Sequence, residues 1–111
     1  MIELTILTYL LDKLEVPVYL EKPSNPSTSF VVIDKTGSGK TNHIKSSTIA
    51  FQSFGATKYD AAILNEKVKQ QVESLITLND ISAVRLNSDY PFTDVTSKQY
   101  RYQAVFDITH Y

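Results

Sequence analysis

The stretch Thr48-Ile49-Ala50-Phe51-Gln52-Ser53-Phe54-Gly55-Ala56-Thr57 decides the fold class, because it joins a strand pattern directly to the start of a helix. Its apolar residues alternate with polar or small ones, which is the two-residue period of a strand. Thr57, with Asp60 three residues later, resembles a helix capping box. The segment therefore predicts a strand over residues 44–54 that leads into a helix.

The helix after Thr57 carries one apolar stripe and one charged face. Its apolar residues recur at spacings of three and four, as on one side of an α-helix. They are Ala61, Leu64, Val68, Val72 and Leu75. We predict that this stripe packs against a sheet.

Two further strand patterns precede this segment. The run Phe30-Val31-Val32-Ile33 is apolar, β-branched and too short for a helix, so it predicts a central strand that forms a hairpin with residues 44–54. The segment Val16-Pro17-Val18-Tyr19-Leu20 alternates, and its proline indicates an edge strand because proline cannot donate to a sheet. The prolines and serines of residues 23–29 predict an exposed loop.

The chain begins with a second helical pattern. Four leucines recur at spacings of three and four, and we expect them to form the buried stripe of an amphipathic helix. They are Leu4, Leu7, Leu11 and Leu14, with Leu10 beside them. The helix must end by Val16, because Pro17 disfavours helical geometry in the residue before it.

The C-terminal third predicts two strands separated by a loop. Residues 81–86 have a strand-like composition, and the polar residues 87–94 predict a long loop. Residues 100–109 alternate strictly and predict the last strand. Together the patterns predict an α+β fold in a single domain, 1–111. A mainly antiparallel sheet of about five strands is covered by two helices, in the order α-β-β-β-α-β-β.

Composition excludes several classes of function. Eleven Lys and Arg against twelve Asp and Glu give a net charge of −1 in 111 residues, so no overall field attracts nucleic acid or an anionic membrane. The chain contains no cysteine, which excludes disulfides, thiolate nucleophiles and cysteine-based zinc sites. We expect no signal peptide and no membrane span, and we expect folding in the cytoplasm.

The string Gly37-Ser38-Gly39-Lys40-Thr41 resembles part of a phosphate-binding loop. The full pattern needs a glycine where this chain has Asp34, and it needs a helix after the loop. Residues 44–54 have strand character instead. We therefore expect the two glycines to supply positive φ in a hairpin turn. A nucleotide-binding enzyme that uses residues 37–41 is a remote alternative.

No set of residues in the sequence forms a recognisable active site or metal site. The two histidines, His43 and His110, lack metal-ligand spacing. Asp89 and Asp94 share a predicted loop, where aspartates commonly stabilise turns. We therefore predict no enzymatic activity, no catalytic residues, no cofactor and no bound metal.

Four strings, together with the order of elements, carry a resemblance that extends over nearly the whole chain. They are Val16-Pro17-Val18-Tyr19-Leu20, Phe30-Val31-Val32-Ile33, Ile49-Ala50-Phe51-Gln52-Ser53-Phe54-Gly55, and Tyr100-Arg101-Tyr102-Gln103-Ala104-Val105-Phe106 after Asp94. These strings resemble the tail terminator, or tail-completion, proteins of long-tailed bacteriophages and prophages. The glycine-lysine string is no part of the resemblance.

The resemblance implies a structural virion protein that forms a ring, typically a hexamer, on the completed tail tube. Such a ring ends tube polymerisation and provides the surface for head joining. Its partners are the major tail tube protein and a head-completion or connector protein, and DNA passes through its lumen. The protein is then assembled in the cytoplasm of the bacterial host and located in the tail of the virion.

A closed ring of identical subunits needs two different complementary surfaces on each subunit. The edge strand and the long loop provide the candidate interface residues Val18, Tyr19, Tyr90 and Phe92. Four basic residues are candidates for contact with a partner or with DNA in the lumen, or else belong to a solvated loop. They are Lys35, Lys40, His43 and Lys45. A head–tail connector or neck protein, with the same ring assembly, is the alternative function.

Overall fold

The order α-β-β-β-α-β-β is confirmed in a computed structural model, which describes residues 2–24, 28–41, 44–92 and 100–111. A short 3₁₀ turn at Ser74–Thr77 follows the second helix. The elements are α1 Ile2–Lys13, β1 Val18–Tyr19, β2 Phe30–Thr41, β3 Ile44–Gly55, α2 Lys58–Glu73, β4 Ile81–Pro91 and β5 Tyr100–His110.

The five strands form one mixed sheet in the order β1-β2-β3-β5-β4. Three of the four neighbouring pairs are antiparallel, as predicted. The pair β1–β2 is parallel, with Val18 opposite Val31, which the sequence patterns did not indicate. Both helices lie on one face, which we call the helix side, and the other face is called the open face.

The core lies between α2 and the helix side of the sheet. Phe51 of β3 and Phe106 of β5 meet edge to face, with ring centroids 5.8 Å apart. The predicted stripe of α2, from Ala61 to Leu75, is buried against them. Thr57 caps α2, since its hydroxyl accepts a hydrogen bond of 3.1 Å from the backbone N–H of Asp60.

The prediction for the buried stripe of α1 is wrong. Ile2, Ile6 and Leu10 face the core, whereas Leu4 and Leu11 are 51% and 52% exposed. The helix carries two apolar stripes, one spaced by four residues and one by alternating three and four. The first stripe fits the sheet, so the second is left facing largely outward.

The loop predicted at residues 87–94 is also wrong in its first half, because β4 continues to Pro91. A register shift between Leu86 and Ser88 absorbs one residue, and pairing with β5 then resumes. A bulge of this kind lets turn-forming residues remain in a strand. Pro91 is tolerated because β4 is an edge strand of the sheet.

Candidate functional site

The hairpin of β2 and β3 carries the basic residues that the sequence singled out. We call residues 35–41 and 44–47 the arm; His43 lies outside the described residues. Lys35 is opposite Ile49, Lys40 is opposite Lys45, and Lys45 in turn is opposite His110 of β5. Residues opposite one another share a sheet face. All three lysines therefore lie on the helix side, and we call this surface the lysine face.

A bulge in β2 brings these lysines together. Lys35 and Lys40 are five residues apart, and strict alternation would place them on opposite faces. The register shifts between Lys35 and Gly37, so that two steps along β2 match one step along β3. This extra residue, Thr36, restores Lys40 to the face of Lys35. No periodicity in the sequence reveals such a shift.

Few groups compensate the charge of the lysine face. Lys35 Nζ is 3.9 Å from Glu3 Oε1, a distance too long for a hydrogen bond. Lys40 and Lys45 form no ion pair with a residue in the described ranges. Since they stand directly opposite one another, they repel.

His110 lies at the inner end of the lysine face. Its Nε2 is 2.9 Å from Ser47 Oγ, and both side chains are buried. Burial lowers the pKa of His110, and the charges of Lys45 and Lys35 lower it further, against the opposing effect of a backbone hydrogen bond. The imidazole is therefore neutral at pH 7, and its tautomer decides whether His110 or Ser47 donates the hydrogen bond between them.

The glycine-lysine string lies inside the arm and not in a turn, so the prediction of a glycine turn is wrong. Gly37 pairs with Thr48, and Gly39 pairs with Ser46, as ordinary strand residues. Neither glycine has a φ between +20° and +160°, the region that favours glycine. The string Gly39-Lys40-Thr41 is followed by strand β3, whereas a phosphate-binding loop leads into a helix.

The four predicted interface residues have different environments. Val18 is buried in the core, so its side chain is not on the surface. Tyr19 is half-buried and packs edge to face on Phe30 of the open face. Tyr90 and Phe92 are exposed and adjacent, with ring centroids 6.2 Å apart. We call exposed Tyr90 and Phe92 the β4 surface. Leu86 is also exposed but lies on the helix side of the sheet, opposite Phe106.

A second apolar surface, on α1, was predicted to be core. Leu4 and Leu11 are about half-exposed, and Leu7 and Leu14 are partly buried beside the core. We call these four residues the outer stripe. Their spacing was visible in the sequence, but spacing alone does not tell which of two stripes a sheet covers.

Polar side chains link three strands on the open face. Gln52 Nε2 donates to Gln103 Oε1 at 3.0 Å, and Gln103 Nε2 donates to the Tyr90 hydroxyl at 2.6 Å. This row of side chains crosses β3, β5 and β4, so it holds the Tyr90 ring in place relative to the sheet.

Asp89, which we expected to stabilise a turn, lies instead in a strand. Asp89 lies in β4 and accepts hydrogen bonds from Asn65 Nδ2 at 2.8 Å and Lys69 Nζ at 2.5 Å. Hydrogen bonds to Asp89 and Glu66 raise the pKa of Lys69. These contacts attach β4 to α2, and Asp94 lies outside the described residues.

Residues that would hold a metal ion do not cluster anywhere in the described part of the chain. Within the same ranges, no helix combines the length and apolar character needed to cross a membrane. A comparison with protein-family models and with curated proteins finds no match to this chain.

Proposed function

We propose that this chain is a subunit of a ring that caps the tail tube of a long-tailed phage. The proposal rests on the resemblance of four strings and of the element order. It is supported by one structural observation: the subunit has two different exposed apolar surfaces near opposite edges of its sheet. They are the outer stripe of α1 and the β4 surface.

The two surfaces lie where a head-to-tail contact requires them. Helix α1 packs over β1 and β2, which form one edge of the sheet, and β4 is the opposite edge. Subunits joined by two unlike surfaces form a closed ring if the rotation between neighbours closes. We propose that the outer stripe of one copy contacts the β4 surface of the next.

Removal of the gene from its phage or prophage tests the function. Loss of a terminator is expected to yield tails of uncontrolled length, because nothing ends tube polymerisation. These tails remain unjoined to heads. Electron microscopy measures both properties, and expression of the wild-type chain in trans should restore them.

The connector alternative makes a different prediction in the same experiment. Loss of a connector leaves tail length normal and blocks only head joining. Virions with normal tails joined to heads would contradict both functions. Purified tail tube protein is expected to bind the chain, and binding only to portal or adaptor rings would favour the connector.

A further inference from the structure

The lysine face of the arm carries positive charge that acidic groups in the described residues compensate only weakly. Lys40 and Lys45 face one another directly and form no ion pair among the described residues. Two like charges at one register position weaken a hairpin. The bulge at Thr36 adds Lys35 to the same face, although alternation would have separated it. A ligand that supplies negative charge would relieve this repulsion.

The lysine face has the donors and the shape for phosphate oxygens. An open depression of about 340 Å³ lies among the lysines, and Ser38, Ser47 and His110 also line it. Hydroxyl and ammonium groups both donate hydrogen bonds to phosphate. On the opposite face of the arm, Gly37 and Gly39 have no side chains, and β3 also pairs with β5, so the lysines lie on the surface of a continuous sheet.

Phosphate in a backbone fits this surface better than a fixed set of carboxylates. Lysine ammonium groups act as point charges on flexible stems and have no preferred fork geometry. A duplex presents one negative charge about every 1.7 Å along its axis. A row of flexible lysines can therefore bind it in many registers, whereas an acidic protein surface must match the row in one.

We propose that the lysine face binds the phosphodiester backbone of nucleic acid without reading its sequence. The contact requires only the arm of a single subunit, so it does not depend on the ring. A failure of this binding would leave the ring proposal intact, and failure to form a ring would leave this binding intact.

Fluorescence anisotropy of a labelled 20-base-pair DNA duplex tests the proposal. The full chain is titrated into the duplex at several salt concentrations. The variant Lys40→Gln/Lys45→Gln is expected to bind at least about tenfold more weakly at low salt. The slope of log K against log salt should be less steep than that of the wild type by about two, one for each phosphate contact that is lost.

Two matched variants separate the effect of where the lysines lie from the effect of the protein's net charge. Lys58→Gln/Lys67→Gln removes the same charge from exposed positions on α2 and should bind like the wild type. The exchange Lys45→Ser/Ser46→Lys keeps the composition and moves one lysine to the open face, and it should weaken binding. Absence of binding by the wild type, or equal effects of all three variants, would overturn the proposal.

The imidazole of His110 provides a second measurement at the site itself. A phosphate bound beside Lys45 and Lys35 offsets their charge, so the duplex should raise the pKa of His110, followed by NMR in a His43→Asn background. Duplex binding that leaves His110 unchanged would place the contact elsewhere. A response to inorganic phosphate without duplex binding would also contradict a backbone site.

Discussion

Asp107 of β5 joins three strands on the open face. Its Oδ1 accepts a hydrogen bond from Thr48 of β3 at 3.0 Å, and its Oδ2 accepts one from Asn87 of β4 at 3.0 Å. Arg85 of β4 lies 3.6 Å from the same Oδ2. The hydrogen bond from Asn87 lowers the pKa of Asp107, and Thr48 and Arg85 lower it further against partial desolvation.

We predict that Asp107 makes the protein more stable at neutral pH than in acid. A carboxyl whose pKa is lower in the folded state stabilises the fold above its unfolded pKa. This contribution is lost as the pH falls through the folded value. Asp107→Asn should therefore lower the free energy of unfolding at pH 7 and have a smaller effect near pH 2. Urea denaturation at the two pH values measures the difference.

Asp80→Asn provides the control at an exposed turn position. It removes the same charge and should change the free energy of unfolding little at either pH. An effect of Asp107→Asn that is equal at both pH values would show that the carboxylate charge does not stabilise the sheet.

At the scale of elements, α1 has two apolar stripes that do different things. Leu10 is fully buried against the sheet, whereas its neighbour Leu11 is 52% exposed on the outer stripe. A solvated helix normally presents polar residues on its outer face. The apolar outer stripe is therefore the part of α1 that folding alone does not explain.

Substitution of these two adjacent leucines separates the roles of the stripes. Leu10→Ala should reduce the free energy of unfolding by about 2–5 kcal/mol, because it leaves a cavity in the core. Leu11→Ala should reduce it by less than about 0.5 kcal/mol in a dilute, monomeric sample. Thermal and urea denaturation measure both. Equal losses would mean that the outer stripe is part of the core.

The sequence predicted elements well where one pattern had one interpretation. The stripe of α2, its Thr57 cap and the alternation of β5 each had a single match, and the structure agrees. Two patterns competed in α1, so the buried face could not be chosen. The bulges in β2 and β4 follow from pairing with distant strands, and local periodicity does not encode them.

Prediction of the candidate site from the sequence was limited by the same bulges and by the same choice between two stripes in α1. The lysines of the arm were visible in the sequence, but their common face results from the bulge at Thr36. Tyr90 and Phe92 were predicted as interface residues, which stays a prediction, and both are exposed. The outer stripe was missed as a surface because leucines at helical spacing usually form core.

At the scale of the whole molecule, the outer stripe and the β4 surface are unlike and lie near opposite edges of the sheet. An interface between two identical surfaces would need only one of them. Head-to-tail contact needs both, because each subunit uses its outer stripe toward one neighbour and its β4 surface toward the other. This asymmetry makes the geometry of assembly testable by mixing two defective variants.

We predict that Leu4→Glu/Leu11→Glu and Tyr90→Glu/Phe92→Glu are each monomers of about 12.5 kDa in light scattering, under conditions in which the wild type assembles. The first variant keeps an intact β4 surface, and the second keeps an intact outer stripe. Their mixture should therefore form one productive contact and stop at a dimer, because the remaining surfaces carry like charges. Circular dichroism confirms that both variants are folded. A mixture that stays monomeric, or a stripe variant that still assembles alone, would contradict a head-to-tail contact between these two surfaces.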